Sequence, residues 1–202
     1  MAARTGAKPR AGKGIIVASA VRNFTTLGYH GTTIRDIARG ADVTVAAIYH
    51  HFPSKQEILK EIMVRTMKDT ISLTRTALMR VDSSPEAQLT AVMHAWILFH
   101  TSRQQDALIG ASELRSLEAD GRGLVVALRD AQEAMFREII ERGVAEGVFR
   151  TEFPREAARA VINMGYAIAT WYRAEGSISP TEMAERYCEL ALGTVRASVA
   201  GY

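Results

Sequence analysis

The sequence predicts an all-α protein, and three observations support that prediction. Proline is scarce, with 5 residues among 202, and apolar residues make up 48% of the chain, which is enough for a packed core. Apolar side chains recur at the spacing of amphipathic helices along most of the chain. No segment shows a strong strand pattern. We therefore expect about nine helices, arranged as an N-terminal three-helix head containing a helix–turn–helix and a C-terminal helical bundle.

The first helix is predicted over about residues 13–27. Gly28 is expected to cap its C-terminus, because glycine readily adopts the left-handed conformation that ends many helices. The helix carries one apolar stripe at helical spacing, made of Ile16, Ala20, Phe24 and Leu27.

Two short helical patterns follow, on either side of a tight turn at residues 40–43. Thr32 or Thr33 is the expected N-cap of the first, and Thr44 caps the second, which ends before Pro53. This geometry can place the second helix in a DNA major groove, although an ordinary helical hairpin is the alternative. The expected core of the head is apolar: Phe24, Ile34, Ile37, Val43, Ile48 and Phe52.

One long helix is predicted from Ser54 to about Arg80. Ser54 and Glu57 have the spacing of a capping box at its start. Because this helix begins in the head and ends in the body, we expect it to link the two mechanically.

The body is predicted to contain five further helical segments. They cover about residues 85–104, 106–117, 124–146, 155–174 and 180–200. Gly147 should end the third of these segments, and residues 118–123 should form a polar loop before it.

Charge is distributed unevenly along the chain. Residues 1–55 hold eight Lys or Arg and two acidic residues, a balance of +6, so the remainder carries −3 of the net +3. A basic head suits a partner that carries phosphates. Residues 1–12 are expected to form a flexible basic arm, which either contacts DNA or only adds charge.

Composition also excludes several classes. With Cys188 as the single cysteine, the chain forms no intramolecular disulfide. No apolar run approaches the ~20 residues of a membrane span, and no signal peptide is recognisable, so a cytoplasmic protein is expected.

The segment from Thr33 to Lys55 closely resembles the DNA-binding signature of the tetracycline-repressor (TetR) family. The resemblance lies in Thr-Ile-Arg-Asp-Ile-Ala, then Val-Thr, then Ile-Tyr-His-His-Phe and Ser-Lys. It implies a ligand-responsive transcriptional regulator, more often a repressor, that binds a palindromic operator as a homodimer. It also implies domains at residues 13–55, for DNA binding, and 56–202, for ligand binding and dimerisation.

The DNA-binding residues follow from this resemblance and from the exposed helix face. Backbone amides and hydroxyls at helix N-termini bind phosphate. The expected phosphate contacts are Thr33, Thr44, Tyr49 and Lys55. Base or groove contacts are expected from Arg35, Val45, Ala46, Ala47 and His50, where the alanine and valine side chains offer only methyl contacts. For Arg35, an ion pair with Asp36 or Asp42 is the alternative.

The body is expected to hold a small apolar effector, because flexible methionines and two tryptophans suit an adaptable cavity. Taken singly, each candidate could instead be a core residue. The candidates are Met93, Trp96, His100, Leu114, Met135, Ile139, Met164, Ile168, Trp171, Tyr172 and Arg173. Small residues on the last two helices suggest either a dimer interface or packing within one chain: Gly165, Ala169, Ala184, Ala191 and Gly193.

Residues 171–173, Trp-Tyr-Arg, followed by Gly176, resemble a subgroup of the family that responds to acyl-CoA thioesters. An acyl-CoA is therefore one candidate effector, and a hydrophobic drug or metabolite is the other. No enzyme signature, cofactor motif or metal-ligand cluster is recognisable, so neither enzymatic activity nor a cofactor is expected. A helical adaptor that does not read DNA sequence is the alternative function.

Overall fold

A computed structural model of the chain describes residues 12–196. Within that range the chain forms nine α-helices and one short 3₁₀ helix, and no strand, which confirms the all-α prediction. The helices are α1 (Lys13–Gly31), α2 (Ile34–Gly40), α3 (Val45–His51), α4 (Lys55–Leu78), α5 (Pro85–Ser102), α6 (Gln104–Ser112), the 3₁₀ helix (Glu113–Ser116), α7 (Ala119–Ala145), α8 (Pro154–Trp171) and α9 (Pro180–Arg196). The predicted basic arm, up to residue 11, and the predicted end of the last helix lie outside the described residues.

The chain divides into two compact units, residues 1–62 and residues 63–202, and the division falls within α4. We call them the N-terminal unit and the C-terminal unit. The domain boundary expected at residues 55–56 stays a prediction.

The N-terminal unit has its core between α1, α2, α3 and the start of α4. From α1, Ile16, Ala20 and Phe24 are buried, but Leu27 is 51% exposed, so the predicted stripe is wrong at its last position. The reason is the backbone at Gly28, whose φ of 71° interrupts the helix. The residue after the break, Tyr29, is buried and its ring lies 5.4 Å from that of Phe24.

The remaining core positions of this unit follow the prediction in part. Ile37, Ile48 and Phe52 are buried, whereas Ile34 and Val43 are half-buried. The start of α4 contributes Ile58, Leu59 and Ile62, which are fully buried.

The C-terminal unit is built around α5, which packs against α7, α8 and α9. Its largest buried side chains include Trp96, Phe136 and Phe149. Four of the five small residues expected on the last two helices are buried within this chain, and only Gly193 is exposed. They therefore serve packing within one chain, which was the alternative interpretation.

The predicted polar loop at residues 118–123 is wrong, because α7 begins at Ala119 and includes Gly121 and Gly123. Two glycines cost a helix roughly 1 kcal/mol each. The cost falls in the first turns of a 27-residue helix, and Gly121 and Val125 are buried there. Tertiary packing therefore outweighs local preference. Between residues 12 and 196, none of the helices combines the length and apolar character needed to cross a bilayer.

Candidate DNA-binding face and effector-binding region

The helix–turn–helix is formed by α2 and α3, and its second helix has an open N-terminus. The Thr44 hydroxyl accepts a hydrogen bond of 3.1 Å from the Ala47 amide, as expected for an N-cap. Its hydroxyl hydrogen can therefore still be donated to an outside acceptor. No acidic residue lies in the first turn of α3, so a phosphate there would meet the positive end of the helix dipole.

The outward face of α3 carries Ala46, Tyr49 and His50, which are all exposed, with Tyr49 at 52%. Their spacing of three and four residues places them on one face. Ile48 faces inward and is fully buried, while Val45 and Ala47 are half-buried. The face therefore presents a phenol, an imidazole and a methyl group to solvent. Its contacts with DNA stay a prediction.

The N-terminus of α2 is already occupied by a carboxylate. Thr33 and Asp36 form a capping box, in which the Thr33 hydroxyl donates to Asp36 Oδ2 at 2.6 Å. These hydrogen bonds from Thr33 lower the pKa of Asp36. A phosphate at this N-terminus would meet a negative charge, so among the predicted phosphate contacts Thr33 has less to offer than Thr44.

Two arginines lie on one face of α2. Arg35 and Arg39 are four residues apart and both are exposed. Arg39 pairs with Asp36 at 3.3 Å, whereas Arg35 has no ion pair with any residue that the structure describes. The alternative of an Arg35 ion pair is therefore not observed. Arg39 was not among the predicted DNA contacts, although its four-residue spacing from Arg35 places it on the same face.

Lys55 stabilises the connection between α1 and α2. Its ammonium donates hydrogen bonds of 2.7 Å to the carbonyl oxygens of Tyr29 and Thr32 and lies 4.3 Å from the centre of the Tyr29 ring. Burial lowers the pKa of this ammonium. A third donor hydrogen is left, so a phosphate contact stays a prediction, but the residue also has a structural role.

Side chains of α1 hold the C-terminal end of α2 in place. Ser19 donates to the Ile37 carbonyl oxygen at 2.8 Å, and Arg22 donates to the Gly40 carbonyl oxygen at 3.0 Å. Carbonyls in the last turn of a helix lack a partner from the regular helical pattern. The position of the helix–turn–helix is thus fixed by polar contacts as well as by the apolar core.

Most of the predicted effector residues meet in the core of the C-terminal unit. The ring of Trp96 lies 4.3 Å from that of His100, and its indole nitrogen donates to the Ile162 carbonyl oxygen at 2.9 Å. Burial lowers the pKa of His100 to about 4, so the imidazole is neutral at pH 7. The same core contains Met93, Ile139, Ile168 and Tyr172, with Met135 and Met164 packed against it.

Three of the predicted effector residues lie apart from this core. Trp171 is 49% exposed and Arg173 is exposed beyond the end of α8, while Leu114 is half-buried on the 3₁₀ helix. None of the eleven candidates lines either cavity described below. Their contact with an effector stays a prediction.

One cavity in the described part of the C-terminal unit is a groove of about 1030 Å³ along α5. We call it the α5 groove. Its floor includes Ala87, Ala91 and Ala95, whose four-residue spacing leaves room along one face. That alanine spacing is a sequence signal that could have revealed it. The other lining residues are Leu73, Thr76, Ala77, Arg80, Val81, Glu86, Thr90, His94, Leu98, Phe99, Ser102, Arg103, Leu192 and Arg196.

Two of the three arginines of the α5 groove are already paired with carboxylates. Arg103 donates to Asp69 at 2.6 Å, and Arg196 donates to Glu86 at 2.7 Å. Arg80 forms no ion pair with the described part of the chain. The lining of the α5 groove is therefore mostly apolar, and carboxylates neutralise two of its three arginines.

A smaller cavity of about 440 Å³ lies between α4 and α7, and we call it the α4–α7 pocket. Lys68 and Arg75 line it and form no ion pair within residues 12–196. Thr76 lines both cavities. The remaining lining residues are Ile71, Ser72, Met79, Leu128 and Ala131. Throughout the described chain, no group of three His, Cys, Asp or Glu side chains could hold a metal ion.

Comparison with known proteins identifies two family models along the chain. Residues 16–62 match the model described as bacterial regulatory proteins, tetR family. Residues 82–195 match the tetracyclin repressor-like, C-terminal domain.

Relatives and solved structures match over nearly the whole length. The HTH-type transcriptional repressor KstR2 of Mycolicibacterium smegmatis is 26% identical over 200 residues, covering 98% of this chain and 97% of the relative. The structure of the TetR family transcriptional regulator PfmR from Thermus thermophilus is 34% identical, covers 88% of this chain and 97% of PfmR, and has a TM-score of 0.81. The structure of AibR in complex with isovaleryl coenzyme A and operator DNA shares the fold, with 23% identity, a TM-score of 0.78 and coverage of 90% and 96%.

Proposed function

The chain belongs to the TetR family of bacterial transcriptional regulators, and on that premise we propose that it represses transcription by binding a palindromic operator as a homodimer. A small apolar effector, for which an acyl-CoA is the leading candidate, releases it from DNA. The protein acts in the cytoplasm, where its operator lies.

The observation that carries the proposal is the exposed face of α3. Tyr49 and His50 lie outward on a helix whose N-terminus is capped by Thr44 and free of acidic side chains. An exposed phenol and imidazole contribute nothing to the core of the N-terminal unit. They are suited to phosphate and base edges in a major groove.

A homodimer supplies the second recognition helix that a palindrome requires. Two α3 helices about 34 Å apart, one helical turn of DNA, would read two half-sites. Trp171 on α8 and Leu190 on α9 are 49% and 54% exposed, and we infer that they lie in the dimer contact. Burial of such side chains against a second copy removes apolar area from water.

The C-terminal unit provides room for the effector. The α5 groove and the α4–α7 pocket have volumes of about 1030 and 440 Å³, and ligand sites typically measure roughly 300–1,000 Å³. AibR, which shares this fold, was solved with an acyl-CoA and operator DNA. Residues of α4 belong to both units. An effector that binds more tightly to the arrangement of α4 that does not fit the operator therefore lowers operator affinity. The loss of binding free energy is at most the difference between the effector's binding free energies for the two arrangements.

Selection of bound sequences from random DNA, followed by fluorescence anisotropy with the selected duplex, tests the proposal. We expect a palindromic site bound by two chains. Tyr49→Ala should weaken binding about tenfold or more, because it removes a hydrogen bond and ring contact at the interface. Thr26→Ala on α1 is the matched control and should bind normally, since among residues 12–196 the Thr26 hydroxyl donates only to the Arg22 carbonyl oxygen.

If the protein is monomeric and binds every duplex with equal affinity, the result would contradict the proposed repressor function. It would favour the alternative, a helical adaptor that does not read DNA sequence. Equal binding by Tyr49→Ala and wild type would instead reject the assigned face. Lys55→Ala is a poor probe of DNA contact, because loss of its bonds to Tyr29 and Thr32 would disturb the N-terminal unit.

A further inference from the structure

The residues at the start of α3 carry no side-chain group that can form a hydrogen bond. Residues 45–48 are Val-Ala-Ala-Ile, and the polar side chains of the helix begin only at Tyr49. In a helix–turn–helix, the N-terminal residues of the second helix are the ones that contact base edges in the major groove. The side chains in the base-contacting part of α3 therefore offer methyl groups, and neither donors nor acceptors.

Burial determines which of these methyl groups faces outward. Ile48 is fully buried and Phe52, directly after the helix, is 3% exposed, so one side of α3 is fixed against the core of the N-terminal unit. Val45 and Ala47 are half-buried, whereas Ala46 is exposed. Of the three residues at the start of the helix, Ala46 is therefore the one that an approaching base edge would meet.

The polar side chains on the same face lie one turn further along the helix. Tyr49 and His50 follow Ala46 by three and four residues and are exposed. The His50 ring lies 5.2 Å from that of His51, in an edge-to-face arrangement. A base edge below Ala46 would thus meet a methyl group, whose matching partner in the major groove is the C5-methyl group of thymine.

We propose that Ala46 recognises a C5-methyl group in each half-site of the operator, so that thymine or 5-methylcytosine is accepted there and uracil or unmethylated cytosine is disfavoured. This inference rests on the proposed function and names the chemical feature of the operator that α3 selects. A contact between two methyl groups does not sense the hydrogen-bonding edge of the pyrimidine. Operator binding at this position consequently responds to cytosine methylation, an input that is independent of any effector.

Guanidinium groups are one competing source of base specificity. Arg35 and Arg39 would select guanine, whose O6 and N7 accept two hydrogen bonds. Both lie on α2, the first helix of the pair, and in this motif the first helix crosses the DNA backbone. Arg39 is in addition paired with Asp36 at 3.3 Å. The arginines are therefore better placed for phosphates than for base edges.

DNA shape is the other competing source, because A·T-rich segments have a narrow minor groove and are selected without base contacts. Replacement of one thymine with uracil removes the C5-methyl group and keeps the hydrogen-bonding edges of the base pair. This exchange therefore separates recognition of a methyl group from recognition of shape.

Anisotropy titrations of the full-length protein with the selected operator test the proposal. Each thymine is replaced in turn by uracil, symmetrically in both half-sites. We expect one position at which uracil weakens binding about fourfold per half-site, or about fifteenfold for the whole operator, because burial of one methyl group is lost. At that position, a 5-methylcytosine·guanine pair should bind more tightly than a cytosine·guanine pair by a similar factor.

Ala46→Gly removes the methyl group of the protein and should bring the thymine-to-uracil affinity ratio close to one, whatever its absolute affinity. Glycine also lowers helix propensity, so Ala18→Gly, at an exposed position of α1, is the matched control and should keep the full ratio. Ala46→Ser is a second variant with a smaller helix penalty. Its hydroxyl is poorly matched to a methyl group, so it should also lower the ratio.

An operator in which no thymine responds to uracil would overturn the proposal and assign any A·T preference to DNA shape. A ratio that is unchanged in both Ala46 variants would reject Ala46 as the residue responsible. Equal binding of the methylated and unmethylated cytosine pairs would contradict recognition of the methyl group. Failure of the proposed function gives a different result, since selection would then return no preferred duplex.

Discussion

The imidazole of His100 is buried, at 2% exposure, and donates from Nδ1 to the Trp96 carbonyl oxygen at 2.7 Å when it is neutral. Burial lowers its folded-state pKa from 6.5 to about 4. The unfolded chain therefore takes up a proton between these values while the folded chain does not, so stability falls as the pH drops through that window. If His100 were fully protonated in the unfolded chain and neutral in the folded one, the free energy of unfolding would fall by about 3 kcal/mol.

We expect wild type to lose about 2 kcal/mol more unfolding free energy than His100→Asn when the pH falls from about 7.5 to about 5. Asparagine can keep the donor to the Trp96 carbonyl oxygen but does not titrate. Urea unfolding at both pH values measures the difference. His94→Asn makes the same substitution at a half-exposed position of α5 and controls for helix propensity. Equal losses in wild type and His100→Asn would contradict the assigned cause.

Helix caps could be predicted from the sequence, whereas the burial of a polar side chain could not. Thr44 was identified as a cap, and Thr33 was one of two candidates with Thr32, because the hydroxyl, the spacing and the following amide are all local features. The burial of Gln132, whose amide oxygen accepts a hydrogen bond from the Thr74 hydroxyl, could not be predicted, because its environment is created by α4, 58 residues earlier in the chain. A lone glutamine on a helix gives no local signal of burial.

At the level of elements, the glycines of α7 differ in how much space surrounds them, and the segment after the helix depends on a glycine for its backbone conformation. A Cβ at Gly143 would lie 2.1 Å from the ring of Phe149, which is buried against the helix, whereas a Cβ at Gly123 would meet nothing within 4 Å. The chain returns over α7 because Gly147 has a φ of 74°. Sequence identified Gly147 as the end of the helix, but the close approach at Gly143 needed the tertiary structure.

Alanine substitutions at these two glycines should therefore act in opposite directions. Gly143→Ala is expected to destabilise the protein by about 1–3 kcal/mol, because the packed ring of Phe149 must move. Gly123→Ala should stabilise it by up to about 1 kcal/mol through helix propensity alone. Thermal or urea unfolding of both variants measures the effects. A stabilising Gly143→Ala would show that Phe149 is not held against α7.

The same comparison explains the wrongly predicted loop at residues 118–123. Glycines and polar residues there favour a loop, and local preference is all that the sequence displays. The buried face of α7 at Gly121 and Val125 outweighs that preference. The DNA-binding segment was easier to predict, since its caps, turn and exposed residues all lie close together between Thr33 and Lys55.

On the scale of the whole molecule, the uneven charge should determine how operator binding responds to salt. Residues 1–55 carry a balance of +6 and the remainder −3, so the N-terminal units approach the duplex with a field that favours phosphates. Each phosphate contact releases counterions and contributes about −0.9 to the slope of log K against log salt. The slope thus counts contacts rather than net charge.

The salt dependence of operator binding can test whether Arg35 contacts a phosphate. Arg35→Gln is a suitable variant, because Arg35 is exposed and has no ion pair among residues 12–196. If Arg35 binds phosphate, each half-site should lose about 0.9 from the slope, with affinity falling similarly for all duplex sequences. Lys13→Gln makes an equal change of charge in the same unit, but Lys13 pairs with Glu61 at 3.0 Å, so it should leave the slope unchanged. Anisotropy titrations over a range of salt concentrations measure both variants. An unchanged slope for Arg35→Gln, with a loss of affinity confined to particular bases, would instead assign Arg35 to base reading. An equal reduction of the slope in both variants would show that only overall charge matters.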